Sequence, residues 1–418
     1  MDVQIKALQC VRCGEKYPPH PRATTCLHCR EDIDRPGILD LLGEDPSDSP
    51  ALKEIILHPD RSKGIWAYED LLPVEPDFPR MTLGEGHTPL LEAPGLASFL
   101  GMDSLWLKNE TMHPTGSFKD RVAAMVVAKA REAGARTLIL VSSGNMANSV
   151  AAYGAVAGLE TVAIVSPKVS RERLNTIAVY GGKVVRVNGT SSDRLSLCFR
   201  AAEQFGWYNA NSPHNPYGPH GAKTIPYEVF AQSGGESFDW VISPVGFGCN
   251  FVGNWKGFED LLRLGMIPRI PRLAAVQAEG SPSVVRAFEM GREEGIPGPQ
   301  DTIAGGISQV VTPNSILALR AIRASEGTAV AVADEEMLAA LPLLARKAGL
   351  YAEPAAAAAL AGLKKLVGQR KVRRSERVLL MISGSGLKDP SSSLPAKDLS
   401  FPLIDPSLSE LERTIRAG

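Results

Sequence analysis

The amino-acid sequence predicts an α/β protein with mostly parallel sheets and a small metal-binding module at its start. From residue 81 onward, apolar runs of strand length alternate with helical periods, many of them joined by glycine. Glycine-rich turns fall between a strand and the helix that follows it, where an open parallel sheet holds its ligands. Four of the six cysteines lie within the first thirty residues.

The cysteine module comes first. Cys10, Cys13, Cys26 and Cys29 are spaced C-x2-C-x12-C-x2-C, two knuckles separated by an insert the size of a hairpin. Each knuckle can turn two thiolates toward one ion, and four thiolates close a tetrahedron. No position is left for water, so such a zinc site is structural. A segment this short builds no core of its own, and the metal supplies much of its folding energy. A disulfide pair or a site that has lost its metal would share the spacing. His20 and His28 are expected at the surface, because four sulfurs already suffice.

Residues 31–79 are rich in Pro, Asp and Ser and read as a linker with one or two short helices. A strand is predicted over 105–108. A helix follows over 117–133, with Val122, Met125, Val126 and Ala130 on one face and Gly134 as its stop. Next come a strand over 137–142, a helix over 146–157 ending at Gly158, and a strand over 161–165. The alternation returns over 240–243, 250–264, 273–277 and 378–382.

Composition narrows the function classes. At 418 residues the chain is long enough for about two or three domains. A hydrophobic share of 44% and a charged share of 22% are ordinary for a globular protein. The formal net charge of −1 gives no global field for nucleic acid or an anionic membrane. The basic cluster Lys371, Arg373 and Arg374 is short and reads as a solvated face. No secretory signal and no apolar run of about 18 residues is found, so a cytoplasmic location is expected. Cys198 lies in an apolar helical pattern and is expected in the core. Cys249 has no histidine close in sequence to make it a nucleophile.

Three turns carry chemistry. In Pro114-Thr115-Gly116-Ser117-Phe118-Lys119-Asp120-Arg121, a lysine sits in the first helical turn. The positive end of the dipole disfavours its ammonium, and a neutral amine is the form that condenses with an aldehyde. A solvent-facing lysine offset by Asp120 would look the same. Ser142-Ser143-Gly144-Asn145 follows a strand and makes a nest of donors suited to a carboxylate, although an ordinary N-cap shares its features. Gly246-Phe247-Gly248-Cys249-Asn250 lies between a strand and a helix, where glycines let backbone amides crowd a phosphate.

Taken together, these turns resemble the threonine synthases, within the tryptophan-synthase-β-like (fold type II) pyridoxal-phosphate (PLP) enzymes. The resemblance covers nearly the whole chain. It includes the cysteine ribbon, Leu83-Gly84-Glu85-Gly86-His87-Thr88-Pro89-Leu90, Lys108-Asn109-Glu110 and the PTGSFKDR motif. Asn211-Ser212, Gly221-Ala222-Lys223-Thr224, Glu353-Pro354-Ala355 and Ser383-Gly384-Ser385-Gly386-Leu387-Lys388-Asp389 complete it.

The resemblance implies a fold and roles. The expected organisation is a four-cysteine zinc ribbon over 1–32, a linker over 33–80, a large PLP-binding domain over 81–111 and 216–418, and a small domain over 112–215. Lys119 would carry the cofactor as the internal aldimine and shuttle protons. Asn145 would bond the ring hydroxyl, and Gly246, Phe247, Gly248, Cys249 and Asn250 would cradle the PLP phosphate. Ser383 would face the pyridine nitrogen. Ser117, Ser142, Ser143 and Gly144 would hold the substrate, and Glu353 would stand behind the first layer of contacts. The implied reaction removes phosphate from O-phosphohomoserine and adds water to give threonine. A homodimer is the default assembly of such enzymes.

The sequence departs from that pattern where substrate is chosen. Met146 stands where a threonine is common, and Ala222 replaces a usual glutamine. The 215–220 stretch lacks a frequent arginine. Phe247 replaces an asparagine, and Ser385 a histidine. Lys168, Arg171, Arg173 and Lys223 are the cations available to replace the lost donors. β-Replacement or deamination of serine or O-phosphoserine is therefore a second expectation. A non-catalytic PLP and zinc protein is a third, against which the retention of Lys119 argues.

Overall fold

The structure is a computed structural model that describes residues 5–33, 35–43, 49–76, 78–388 and 402–417; Asp389 of the closing motif lies outside them. Three short strands open the chain. β1 (Ile5–Cys10) pairs antiparallel with β2 (Lys16–Tyr17) and with β3 (Leu39–Gly43).

Two parallel sheets follow. The larger has six strands: β4 (Leu90–Glu92), β5 (Leu105–Asn109), β10 (Trp240–Pro244), β11 (Arg272–Ala278), β12 (Thr328–Val332) and β13 (Val378–Ile382). Their order is β12-β11-β10-β13-β5-β4, and only the edge strand β4 runs antiparallel to its neighbour. The smaller sheet has β6 (Thr137–Val141), β7 (Glu160–Val165), β8 (Lys183–Arg186) and β9 (Tyr208–Asn209), in the order β8-β7-β6-β9 and parallel throughout.

Helices cover both faces of each sheet, which is why the strands read as continuous apolar runs. On β13, Val378, Leu380 and Ile382 pack with the helices Asp334–Ala348 and Pro354–Gly368. Leu379 and Met381 face the helices Thr224–Gln232 and Cys249–Arg263. Five successive alanines from Ala355 let the helix Pro354–Gly368 lie close on the sheet, and all five are buried. In the small sheet, Leu138 and Leu140 join the helices Lys119–Glu132 and Asn145–Val156. Ile139, Val162 and Ile164 enclose Cys198 on the other side, so that cysteine is a core residue.

The predicted elements recur with boundary shifts of one or two residues. The helix at the lysine motif begins at Lys119 instead of residue 117, because Ser117 forms an extended bridge with Gly384. The segment read as a linker with one or two short helices contains the helix Pro50–Leu57 and the 3-10 stretch Arg61–Leu71, and it buries Ile56, Tyr68 and Leu71 in a core of the large sheet and Ile65 and Trp66 in that of the small sheet. Among the described residues, no helix is long and apolar enough to cross a membrane.

Candidate active site

Four turns leave the carboxyl ends of parallel strands and bring the singled-out residues together. Neighbouring β10 and β13 deliver the glycine turn and Ser383, β5 leads to the lysine loop, and β6 leads to Ser142. The lysine loop is pinned to the closing motif. Phe118 N donates to Ser383 O at 3.1 Å, Ser385 N to Gly116 O at 2.9 Å, and Lys388 Nζ to Thr115 O. From below, Asp120 accepts from Thr115 N at 2.7 Å and from Thr115 Oγ1 at 2.6 Å.

Lys119 is the first residue of its helix. Part of the residue is open, but its amine is enclosed, 3.4 Å from Ser212 Oγ and 4.7 Å from the centre of the Phe118 ring. Burial lowers its pKa below the usual lysine value, while Cys249 and Glu353 pull the other way. The dominant cause is therefore desolvation, a stronger lever than the helix dipole argued from sequence.

The glycine turn is tight on its far side. A side chain on Gly246 would start 2.3 Å from Gly306 O, and one on Gly248 would start 2.8 Å from Asn314 Cβ. Gly248 also has a φ of 86°, a left-handed conformation that glycine adopts without strain. Asn314 Nδ2 holds the turn by donating to Phe247 O at 3.0 Å, and Cys249 Sγ donates to Ser212 O at 3.3 Å. Nothing in the sequence patterns pointed to Asn314. Ser212 belongs to a motif noticed only as part of the resemblance.

Asn145 Nδ2 donates to both Glu353 oxygens at 3.1 Å, and Glu353 N donates to Gly384 O at 3.0 Å. Glu353 thus holds Asn145 and the backbone of the closing motif. Ser142 Oγ accepts from Gly144 N at 3.4 Å, and a Cβ on Gly144 would meet open space. Ser117 Oγ and Asn250 Nδ2 are buried without a protein partner. Each such atom costs roughly 1–3 kcal/mol unless a ligand satisfies it. An enclosed amine, an open donor turn, a glycine turn at a helix start and two orphaned polar groups fit an aldehyde cofactor with an anionic tail.

A fully buried charge network supports the lysine helix. Arg121 donates to Glu110 through Nε at 2.8 Å and Nη2 at 2.9 Å, and to Glu228 through Nη2 at 2.8 Å. Lys108 Nζ reaches Glu228 Oε2 at 2.7 Å, and His113 pairs with Glu110 at 2.8 Å.

The residues that depart from the family pattern separate. Met146 is buried next to Asn145, whereas Ala222 ends the helix Gly218–Ala222 and packs into a core of the large sheet. Lys223 pairs with Asp260 at 2.5 Å, and Lys168 and Arg171 are exposed.

The metal module is a separate site. The four sulfurs of Cys10, Cys13, Cys26 and Cys29 lie within 4.8 Å of one another, with Cys10–Cys29 at 4.0 Å and Cys13–Cys26 at 3.6 Å. A tetrahedral zinc thiolate site has sulfurs about 3.8 Å apart, so the cluster can hold one zinc ion. The distances are far too long for disulfides, and all four cysteines are free. His20 and His28 are exposed.

Residues 81–384 match the pyridoxal-phosphate dependent enzyme family, and the chain belongs to it. Its fold is that of the fold type II enzymes. It superposes on a T.th. threonine deaminase with a TM-score of 0.62 and 26% identity, covering 75% of this chain and 94% of that one. On maize serine racemase the TM-score is 0.61 at 19% identity, with coverage of 79% and 92%. In sequence it is 36% identical to the threonine synthase of Methanocaldococcus jannaschii over 93% of this chain and 95% of the relative. The threonine synthase of Mycobacterium tuberculosis H37Rv is 37% identical over 82% and 92%. The chain is therefore a PLP-dependent lyase with a threonine-synthase-like function.

Proposed function

We propose that this chain releases phosphate from O-phosphohomoserine and adds water to give threonine. The 36% identity to a threonine synthase along almost the entire chain is the observation that carries this substrate. PLP bound in the site supplies an aldehyde carbon and an electron-accepting ring that acidifies the Cα–H of an amino acid.

The chain's own residues do the rest. Lys119 Nζ, favoured neutral by burial, takes the Cα proton and moves protons at Cβ. The donor turn of Ser142, Ser143 and Gly144, together with Ser117, orients the substrate carboxylate. Gly246, Phe247, Gly248, Cys249 and Asn250 grip the cofactor's anionic tail, and Asn250 Nδ2 gains there the partner it lacks. Ser383 faces the ring nitrogen as a hydroxyl and does not enforce its protonation. Asn145 serves the ring hydroxyl.

In this reading the site lies between a lobe of 81–111 and 216–418 and a smaller lobe of 112–215. The ribbon of 1–32 and the connector of 33–80 complete the chain. Six free cysteines suit a reducing compartment and support a cytoplasmic location.

One observation favours a second reading. Met146, buried beside Asn145, offers no hydrogen bond to a substrate phosphate, which suits β-replacement or deamination of a serine-type substrate. Assaying the PLP-loaded protein on O-phosphohomoserine, O-phosphoserine, serine and threonine separates the two. Equal yields of phosphate and threonine from O-phosphohomoserine, lost in Lys119→Ala, are expected. Keto acid from serine or threonine, with no threonine formed, favours the second reading.

A further inference from the structure

Only two residues separate Cys10 from Cys13 in the first knuckle, and both reach across to the large sheet's side of the molecule. Val11 O accepts from Arg320 Nη2 at 3.1 Å, and the Arg12 guanidinium pairs with Glu294. A cleft lined by Arg12, Arg35, Glu294, Val311 and Thr312 runs along this junction. Side-chain bonds, and not close packing, therefore join the knuckle to its neighbours here.

Both contacts converge on one helix. Arg320 belongs to the helix Ser315–Ala324. Glu294 adjoins Gly295, whose N–H donates to Ser315 Oγ at 3.0 Å at the start of that helix. The approach is close, because a Cβ on Gly295 would start 2.8 Å from Ser315 Cβ. Ser315 N in turn donates to Thr312 O at 3.0 Å. The residues beside Ser315 are those that brace the glycine turn. Asn314 Nδ2 donates to Phe247 O at 3.0 Å, and Thr312 Cγ2 stands 3.4 Å from the point where Gly248 would carry a Cβ. From the knuckle to the cofactor turn, every link is a direct contact or a chain neighbour.

We propose that Arg12 and Glu294 are positioning residues for the turn Gly246–Asn250, so that an ordered zinc knuckle tightens the grip on the PLP phosphate. This rests on the reading of that turn as the seat of the cofactor's anionic tail. Backbone N–H groups hold a phosphate only when they aim together at one point, and the groups behind them set that aim. Zinc would fix Cys10 and Cys13 to Cys26 and Cys29, and with them the direction in which Val11 and Arg12 project. A half-buried ion pair adds little to global stability, so its loss should appear at the turn and not in the thermal midpoint.

The test titrates the zinc-loaded apoprotein with PLP and with pyridoxal, the same ring without its phosphate. In Arg12→Ala the Kd for PLP should rise about threefold to thirtyfold, the range expected of one link in such a coupling, while that for pyridoxal stays put. The phosphorus NMR signal of bound PLP should shift. Zinc content and thermal midpoint should match wild type, as should every reading of Arg30→Ala, an exposed residue next to Cys29. Arg12→Lys should recover part of the PLP affinity. Glu294→Gln, which leaves the module untouched, should reproduce the selective loss, and this variant decides if Arg12→Ala loses its zinc. Removing the zinc from wild type should also weaken PLP more than pyridoxal. Unchanged PLP binding in Arg12→Ala and Glu294→Gln would overturn the role, and so would an equal loss for PLP and pyridoxal, the mark of a merely structural contact. Wild type that binds PLP no more tightly than pyridoxal would instead sink the assignment of the turn itself, and the role with it.

Discussion

Asn145 and Glu353 lie 208 residues apart, yet the amide of one donates to both oxygens of the other at 3.1 Å. The bond ties the helix behind β6 to the start of the helix Pro354–Gly368, and hence the small sheet to the large one. The Glu353 carboxylate also favours the charged form of Lys119. Glu353→Gln keeps an acceptor for Asn145 but removes that charge, so the Lys119 pKa should fall further. The pH profile of PLP uptake by the apoprotein should move to lower pH in Glu353→Gln. In Glu353→Ala, which also frees Asn145, PLP affinity should drop about tenfold, the worth of one such bond. A profile identical to wild type in both variants would remove Glu353 from the site's electrostatics.

The network under the lysine helix sets a stability prediction. Burial alone would raise the Glu228 pKa, but Arg121 and Lys108 bring it down to about 2. Glu228→Gln strips two buried cations of their shared counter-charge, and removing one partner of a buried pair costs about 3–5 kcal/mol. The urea midpoint of Glu228→Gln should fall accordingly. Adding Lys108→Met should recover part of the loss, a coupling that an additive pair of substitutions would not display.

Acid should destabilise the fold in a window set by two buried histidines. Burial pushes the His214 imidazole down to about 4, and burial, with Lys256 and Lys223 nearby, takes His220 well below its ordinary value. The folded chain keeps both neutral, whereas the unfolded chain protonates them below about pH 6.5. The unfolded state therefore binds more protons between about pH 6.5 and 4, and stability falls as pH drops through that range. For His214 the loss is about 2 kcal/mol by pH 5. Urea midpoints at pH 7.5 and 5 should differ less in His214→Asn and His220→Gln than in wild type. Glu228 adds its own loss mainly below about pH 4.5, where the unfolded carboxylate takes up a proton that the folded one does not, so it contributes little at pH 5.

Much of this architecture was legible because burial on two faces writes itself into the sequence. The run Val378-Leu379-Leu380-Met381-Ile382 sends alternate residues into opposite cores, so it reads as one apolar strand. The turns after β6 and β10 were found because glycine and small hydroxyl residues are needed where a strand gives way to a helix. The links between those turns were not legible. Nothing local to Asn314 shows that its amide holds Phe247, and nothing near Glu353 announces Asn145. Within the segment 31–79, read as a linker with one or two short helices, the packing of residues 50–72 was not legible because polar residues stand among the buried ones. Trp66, whose Nε1 donates to Met81 O at 2.7 Å, fills a core formed by distant segments. Ser117 escaped the predicted helix because its partner, Gly384, comes from the other end of the chain.

The cysteine module reaches the active site through the loop between its two knuckles. His20 O accepts from Tyr217 OH at 2.9 Å, and Pro21 O from Tyr208 OH at 2.9 Å. Arg22 donates to Gly206 O and Ala133 O at 3.0 Å each. Tyr208 and Tyr217 stand on either side of Ser212 in the chain, and Ser212 Oγ lies 3.4 Å from the Lys119 amine. The opposite side of the module holds the large sheet's helices, through Asp40 to Lys256 at 2.7 Å and Val11 O to Arg320 at 3.1 Å. A module this small has little core, so zinc should supply most of its order. The purified protein should carry one zinc per chain by atomic absorption, and Cys26→Ser should carry none. Chelation should then expose residues 14–25 to protease, with cleavage at least about tenfold faster, because four metal–sulfur bonds fasten the two knuckles together. Arg22→Ala should keep its zinc while the PLP absorbance becomes more sensitive to mild urea. Cleavage of this loop at the same rate with and without chelator would mean that the protein bonds alone hold the module in place.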